Sequence, residues 1–441
     1  MKIAVTGASG ELGTLVLRRL AALPEVERIV ALDVRAPMVA SPKIEAVQVD
    51  VRDANIGAHL AGASALVHLA FLVTQWAPRA EMESVNVGGS KNVFEAAARA
   101  GIKTIVYSSS IAAYGVVPGH PVPIVETTPR RFQPEFAYSA TKFQVEAFLD
   151  VFEKEHPDLT IARLRPAILA GTRMEHELGK SLDSGLFPDL GGPTAPFVWD
   201  DDVAAAVVLC LKQRAHGAFN LVADEPLQAR ELARAGGLRH LRIPRAVVRR
   251  VAQLNPLIVR LGGKRRADPA WLDIEPVRMV ISSEKAKREL GWSPRYPTHA
   301  EVFRHVGETA RRRMDPRIAL FFRLAGASSA RLSPRATNER DLHLEITGPG
   351  GGDFTLRTGG QRARLSPGVP RPPSAVLRAA APVYLDLLAG RLSLGEAQQS
   401  GAVSVEGEAV EERTLDELRA LGQGGWLTRI PWPFGAKGAK R

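Results

Sequence analysis

Lys2-Ile-Ala-Val-Thr6-Gly7-Ala-Ser-Gly10-Glu-Leu-Gly13 opens the chain and decides how the rest of it is read. Lys2–Thr6 is a short β-branched run of the kind that forms a buried strand, and Leu12, Leu15, Val16 and Leu20 recur at helical spacing just after it. The glycines between them let the backbone turn tightly and approach a pyrophosphate, which the positive end of the following helix attracts. A glycine triplet alone is also what a plain turn contains. The strand before it and the helix after it make the dinucleotide reading the specific one. Asp33 ends a second strand-like run, Arg28–Asp33, twenty residues beyond Gly13. A carboxylate there accepts the ribose hydroxyls of NAD and repels the 2′-phosphate of NADP. Arg35, two positions on, softens that choice, so the pattern favours NAD over NADP without excluding the latter. Asp50-Val51 follow a third run, Ala46–Val49. An acid there can take an adenine amino group, with an ordinary loop carboxylate as the competing reading.

Outward from this opening, short β-branched runs alternate with amphipathic stretches as far as about Leu211. Ala65–Ala70, Thr104–Ser108 and Thr160–Leu164 read as further buried strands, and Glu11–Ala22, Ser90–Ala100 and Ala137–Lys154 as helices between them. Such β-α-β alternation predicts an α/β fold, a doubly wound parallel sheet covered on both faces. Between about 171 and 298 the pattern is less regular and richer in Pro, Gly and Arg, with a strand-like run at Phe219–Val222. It predicts a smaller, mostly helical substrate lobe at the carboxyl ends of the sheet, including an arginine-rich stretch, Pro244–Arg266, with a helix kinked at Pro256. Residues 1–312 are thus expected to form one domain, and 313–331 a linker. Beyond it, Leu342-His-Leu-Glu-Ile-Thr and Phe354-Thr-Leu-Arg flank a glycine-rich turn as a hairpin does, followed by helices at Pro382–Ala389 and Thr414–Leu421 around a strand at Ala402–Glu406. A separate small α+β domain over 332–425 and a basic tail over 426–441 complete the expected organisation.

Composition bounds the function classes. The 441 residues are 45% hydrophobic and 24% charged, as expected of globular domains, and the formal net charge is +11. A basic balance suits nucleic acid, anionic lipid or an acidic cofactor. Nucleic acid is disfavoured, since the chain has no zinc-finger spacing, aromatic-studded basic strand or arginine-rich low-complexity arm. The one cysteine, Cys210, sits in the apolar run Ala204–Leu211 and reads as an inert core residue. The ten histidines show no paired ligand spacing, so no metal is expected. With no signal-peptide pattern and no apolar run near ~20 residues, a cytoplasmic protein is expected.

The chemistry concentrates in two places. Tyr138-Ser-Ala-Thr-Lys142 puts a phenol and an ammonium four residues apart, on one face of a helix. A lysine cation beside a tyrosine favours the phenolate and pulls its pKa down from about 10, which produces a general acid/base. Ser108-Ser-Ser110 ends the strand Thr104–Ser108 in a cluster of hydroxyls, where parallel sheets bind ligands. A serine there can hold a substrate oxygen against Tyr138.

With Asp50-Val-Arg-Asp53, Val67-His-Leu-Ala70, Asn86-Val-Gly-Gly-Ser-Lys-Asn92, Arg163-Leu-Arg-Pro166, Phe197-Val-Trp-Asp-Asp-Asp-Val-Ala204 and Lys285-Ala-Lys-Arg-Glu-Leu-Gly-Trp292, these stretches closely resemble the extended short-chain dehydrogenase/reductase family. That group contains NAD-dependent epimerases, dehydratases and 3β-hydroxysteroid dehydrogenases, and the resemblance spans about Met1 to Thr309. It implies a Rossmann-type fold, Ser110 as the hydroxyl that polarises the substrate with Ser109 as runner-up, Tyr138 as acid/base, and Lys142 as the residue that lowers its pKa and holds the nicotinamide ribose. It implies a cofactor lined by Gly7, Ser9, Gly10, Glu11, Leu12, Gly13, Asp33, Arg35, Asp50, Val51, Leu69, Ala70, Asn86, Ser108, Tyr138, Lys142, Pro166 and Ile168. It also implies a homodimer, through Ser90–Ala100 and Ala137–Lys154.

Departures from the family pattern narrow the substrate. The dehydratases' acid pair is replaced by Ile111-Ala112, and Arg165-Pro-Ala-Ile-Leu169 lacks the amide that nucleotide-sugar enzymes commonly place there. Both lean towards a hydrophobic, steroid-like or other lipid substrate, with a nucleotide-sugar 4-epimerase as the alternative and a non-enzymatic NAD- or lipid-sensing protein as a third reading. Asp353-Phe-Thr-Leu-Arg, Leu387-Leu-Ala-Gly-Arg391-Leu-Ser-Leu-Gly-Glu-Ala397 and Ser400-Gly-Ala-Val-Ser-Val-Glu-Gly407 resemble the sterol-carrier-protein family. That implies an apolar tunnel for a lipid tethered beside the enzyme, although Arg362, Arg364 and Arg378 interrupt the strands. The basic Pro244–Arg266 stretch is able to lie on an anionic membrane as an amphipathic element, a solvated face of the lobe being the competing reading.

Overall fold

The computed structural model describes residues 1–73, 77–171, 182, 186–253, 277–313, 329–331, 340–347, 352–358, 362–367, 373–388, 391–407 and 410. They form two compact units, 1–310 and 311–441.

The first unit is built on β1 (Lys2–Thr6), β2 (Arg28–Asp33), β3 (Ile44–Gln48), β4 (Ala65–His68), β5 (Thr104–Ser108), β6 (Thr160–Pro166) and the later strand Gly217–Leu221. Their order across the sheet is β3-β2-β1-β4-β5-β6 and then Gly217–Leu221, all parallel. The reversal of direction between β1 and β4 makes this the Rossmann arrangement, in which ligands bind at the carboxyl ends of the strands on either side of the switch.

Alternate residues of each strand feed opposite faces of the sheet. Ile3, Val5, Ala31, Val67, Val106 and Leu164 pack with Val16, Leu17 and Leu20 of α1 (Glu11–Ala21) and with Val203, Val207 and Cys210 of the helix Asp200–Gln213. Ala4, Val30, Leu32, Leu66, Ile105 and Ile161 pack with Ile56 and Leu60 of α2 (Ile56–Leu60) and with the helices Ser90–Arg99 and Ala137–Glu155. Burial on both sides is why these strands read as continuous apolar runs rather than alternating ones. Cys210 is fully buried, and burial pushes its thiol up to about 12.

The region expected to be mostly helical carries helices at Ala229–Gly236, Arg245–Gln253, Glu284–Leu290 and His299–Arg313. It also holds two small parallel pairs, Ile168–Ala170 with Phe197–Trp199 and Leu186–Asp189 with Arg239–Arg242. The runs are three or four residues long, too short for periodicity to separate them from loop. The proposed kink at Pro256 and most of Pro244–Arg266 lie outside the described residues.

The second unit holds a mixed sheet of six strands among its described residues. The hairpin read from the sequence is present, Arg340–Thr347 against Gly352–Thr358. Leu342, Leu344, Ile346, Leu356 and Leu377 face the helices Ala381–Leu388 and Leu394–Gln399 on one side of the sheet. An edge strand, Ser329–Arg331, pairs with Arg362–Arg364 inside the stretch expected to be linker. Edge pairing uses backbone groups, so its Ser-Ala-Arg composition carries no strand signal. The helix expected at Thr414–Leu421 and the tail lie outside the described residues.

Candidate active site

At the tip of β1 the chain is tight for a reason that the atoms show. Gly7 sits at φ +70°, and a Cβ there would lie 2.5 Å from the backbone nitrogen of Ala70. A Cβ on Gly13 would collide with the Gly7 carbonyl oxygen. The loop is thereby pressed against the end of β4, with the Leu69 N–H donating to Thr6 O at 3.1 Å. Gly10 caps α1 without a side-chain hydrogen bond. A glycine at that position leaves the start of the helix open to a close approach by a ligand. Ser9 Oγ is buried and has no partner. Asp33 stands beside this loop, accepting from Ser9 N through one carboxylate oxygen and from Arg35 N through the other, both at 3.0 Å. A buried hydroxyl without a partner at Ser9, a helix N-terminus at the tip of the glycine loop and a fixed carboxylate at the next strand tip fit a dinucleotide. Arg35 itself is exposed.

Other residues expected around the cofactor do different work here. The Asp50 carboxylate is gripped by Arg52, Nε to Oδ1 at 2.9 Å and Nη2 to Oδ2 at 2.6 Å, which holds its pKa below the ordinary value. Val51 is buried, and a Cβ on Gly89 would strike its Cγ2. Asn86 lies in a π-helical turn, Glu83–Gly89, and clamps the chain after β4. Its Oδ1 accepts from Leu72 N at 2.7 Å, while its Nδ2 donates to Leu72 O at 3.0 Å and to Thr141 Oγ1 at 3.4 Å. Pro166 closes β6 beside Leu221, and Ile168 N donates to Pro196 O.

The three hydroxyls after β5 part company. Ser108 offers its carbonyl to Lys142 Nζ at 2.6 Å. Ser109 is turned inward and donates to Glu146 Oε1 at 2.5 Å. Ser110 starts a 3₁₀ turn, Ile111–Tyr114, accepting from Ala112 N at 3.1 Å, and its hydroxyl lies near enough to the Tyr138 phenol to pull that group's pKa down. Geometry thus separates the two serine candidates: Ser110 meets Tyr138, and Ser109 is committed elsewhere.

Tyr138 and Lys142 lie one turn apart on the helix Ala137–Glu155, but the expected electrostatics between them is corrected by the structure. Burial pushes the Tyr138 phenol above its ordinary value, and the opposing pull comes from Ser110. Burial holds the Lys142 ammonium well below its ordinary value, against the attraction of Glu146. The ammonium points to Ser108 O and to the Phe71 ring, 3.4 Å from that ring's centroid and 5.9 Å from the Tyr138 centroid. Helical spacing brought the two side chains to one face but did not fix which way the lysine's flexible stem bends.

Sequence reasoning missed the charge network behind this pair. Glu146, fully buried one turn past Lys142, takes Arg165 Nε on Oε1 at 2.8 Å, Arg165 Nη2 on Oε2 at 2.5 Å and Arg130 Nη1 on Oε2 at 3.1 Å. Burial pushes its carboxyl up, but Arg165, Arg130 and Ser109 outweigh that and leave it below the ordinary value. The available signal was Arg163 and Arg165, two cations on one face of an otherwise apolar strand, opposite a helix with an acid at the i+4 position from its lysine.

Comparison with known proteins follows the same lines. A protein of Mycobacterium tuberculosis is 26% identical over 255 residues, covering 55% of this chain and 67% of that one. UDP-glucose 4-epimerase of Lacticaseibacillus casei is 27% identical over 332 residues, covering 67% of this chain and 92% of that one. Among solved structures, DesIV, a dTDP-glucose 4,6-dehydratase from Streptomyces venezuelae crystallised with NAD bound, superposes with a TM-score of 0.54 at 22% identity, over 69% of this chain and 96% of that one. That likeness shows the shared fold. Residues 3–221 match the family described as the NAD dependent epimerase/dehydratase family. The first unit of this chain therefore belongs to that family, as an NAD-dependent enzyme of the extended short-chain dehydrogenase/reductase type.

Proposed function

We propose that the chain catalyses NAD(H)-dependent oxidoreduction of a hydroxyl or ketone on a substrate with an apolar body, using Ser110, Tyr138 and Lys142. The observation that carries this reading is the convergence at the carboxyl end of β5 of the Ser110 hydroxyl, which lowers the Tyr138 phenol, with Tyr138 and the buried Lys142 one helical turn apart. The amides around Gly7–Gly13 would hold the pyrophosphate, and the Asp33 carboxylate a ribose. Bound there, NAD supplies two-electron redox chemistry at its nicotinamide.

The side chains of this protein supply position and protons. Ser110 Oγ accepts from Ala112 N–H, so its one hydrogen is directed either to Tyr138 in the free site or to a substrate oxygen placed between them. In the oxidative direction the Tyr138 oxygen, as phenolate, takes the alcohol proton; in the reductive direction the phenol returns it to the forming alkoxide. Lys142 places a positive charge in the same pocket wall. The rings of Phe71 and Phe136, with centroids 5.8 and 5.9 Å from that of Tyr138, surround the phenol with apolar surface and support an apolar substrate.

Nucleotide-sugar 4-epimerisation is the second reading. It is favoured by the similarity to the Lacticaseibacillus casei epimerase along nearly the whole of that protein. Net NAD reduction by the full chain with sterols or other hydroxylated lipids, set against interconversion of UDP-sugar epimers without net NAD reduction, separates the two readings. Tyr138→Phe is expected to lower turnover by about 10²–10⁴-fold while NAD affinity stays within a few-fold. Undiminished turnover in that variant removes Tyr138 from the acid/base role.

For the second unit, packing favours a closed module over a lipid carrier. Leu344, Leu356, Leu377, Tyr384, Leu387 and Ala397 are all fully buried between sheet and helices. Arg378 is tied to Glu345 and Glu406 at 3.0 Å each rather than left to line an apolar space.

A further inference from the structure

Lys142 is a buried cation with few polar partners. Its Nζ donates to Ser108 O at 2.6 Å and reaches Tyr107 OH only at 3.5 Å. The nearest acid along its helix, Glu146, has its oxygens occupied by Ser109 and by arginines. The other titratable groups around it add no negative charge in their ordinary states: Tyr107 and Tyr138 are phenols that burial keeps protonated, and burial keeps His68 neutral. What remains is a π face. The Phe71 ring centroid lies 3.4 Å from Nζ, with the Tyr107 ring behind it at 5.0 Å. A desolvated ammonium over an aromatic face is held by the ring quadrupole.

Phe71 is also fixed in place. Leu72, its neighbour in the chain, is bound at both backbone N–H and C=O by Asn86, whose amide further contacts Thr141 next to Lys142. From that position the same ring meets Tyr138 in a T-shaped contact, 5.8 Å between centroids and 89° between planes. One side chain thus touches both members of the Tyr–Lys pair.

We propose that Phe71 is a positioning residue of this enzyme, whose ring face holds the positive charge of Lys142 while its T-shaped contact seats Tyr138. The importance of this for turnover rests on the function proposed above; the contact itself does not. Fluorination keeps the ring's shape while draining its π face, so a graded series at position 71 separates charge from packing. In the full chain, freed of nucleotide, phenylalanine at 71 is replaced by its monofluoro, trifluoro and pentafluoro analogues, and by Phe71→Trp and Phe71→Leu. The Lys142 titration is followed by ¹³Cε NMR, the resonance being identified by its loss in Lys142→Met. The midpoint is expected to fall stepwise with fluorination, by about one pH unit or tenfold in the proton equilibrium across the series. Phe71→Leu should behave like the pentafluoro form, and Phe71→Trp should restore the native value. A midpoint that stays constant through the fluorinated series overturns the proposal, whatever becomes of the leucine variant. If the NMR midpoint moves while the pH limb of kcat/KM stays where it is, the assignment of Phe71 stands and the role given to Lys142 in turnover falls.

Discussion

At the scale of single residues, the site's acid/base behaviour follows from what each group touches rather than from which groups are present. Tyr138 is raised by burial, and the opposing, lowering influence comes from the Ser110 side chain. If the phenolate is the base for alcohol oxidation, the active fraction of the free enzyme grows as pH rises towards a pKa that lies above the ordinary value of about 10. Measured kcat/KM for oxidation is therefore expected to climb about tenfold per unit from neutrality and to be still rising at about pH 10, since kcat/KM reports the free enzyme. Reduction needs the protonated phenol and should be flat over the same range. Ser110→Ala removes the one interaction that lowers the phenol and should carry the oxidative limb further to alkaline pH. A plateau near pH 7 in the wild-type profile would mean that another group sets the rate. That Tyr138 and Lys142 share one helix face near a hydroxyl-rich strand end was legible in the sequence because the spacing is helical and Ser108-Ser-Ser110 ends a strand, whereas the choice of Ser110 over Ser109 came only from the family resemblance. The direction of the lysine was not legible, because four rotatable bonds separate its charge from the helix, and what captures it, Ser108 O and Phe71, lies on other elements.

Among the elements, the parallel sheet is tied at its carboxyl ends by a hydrogen-bonded chain that runs across β1, β4 and the helix Ser90–Arg99. Thr6 Oγ1 meets His68 Nδ1 at 2.6 Å, His68 Nε2 meets Ser90 Oγ at 2.9 Å, and Ser90 gives its hydrogen to Asn86 O at 2.5 Å. Since Ser90 has spent its proton, it accepts from His68 Nε2–H, and Nδ1 accepts from Thr6. The chain requires neutral histidine. Burial lowers the His68 pKa to about 3, with Lys142 adding to the effect. A histidine depressed when folded binds more protons unfolded, so its contribution is whole above the unfolded pKa of about 6.5 and is lost as pH falls from there towards 3. Asp200, raised by burial to about 7, gains stability as pH falls through the same window, so the loss from His68 is read as the difference in urea-unfolding stability between the native chain and a His68 variant from pH 7.5 to 5. His68→Gln should be less stable at pH 7.5 but lose less than the native chain over that window; an equal slope in both proteins would place the acid sensitivity elsewhere. The doubly wound parallel sheet was legible from the β-α-β alternation, as were the β1 and β2 bounds, because buried strands are continuous apolar runs. The two short parallel pairs of the lobe and the edge strand Ser329–Arg331 were not, because three or four residues held by backbone bonds leave no periodic trace.

On the scale of the whole molecule, the division of labour between the units is the property most open to test. The glycine loop, Asp33, Ser110, Tyr138, Lys142, Phe71 and the Glu146 network all lie within residues 1–310, and the two sheet faces of that unit are closed by its own helices. The apolar side chains of the second unit form a cluster of their own. Two cores of this kind predict two unfolding transitions rather than one. A chain ending at Arg313, after the helix His299–Arg313, should fold and bind NAD within a few-fold of the full-length protein, as titration calorimetry would show. The same truncation distinguishes the two accounts of the second unit. A lipid carrier raises the local substrate concentration to roughly millimolar through tethering, so its removal would depress turnover of a sparingly soluble alcohol far more than that of a soluble one. A closed module has no such selectivity. The filled interior around Tyr384 and Leu387 leads us to expect equal kcat/KM ratios, truncated to full-length, for both kinds of alcohol; a loss of tenfold or more confined to the lipid would restore the carrier and require the second unit's core to open.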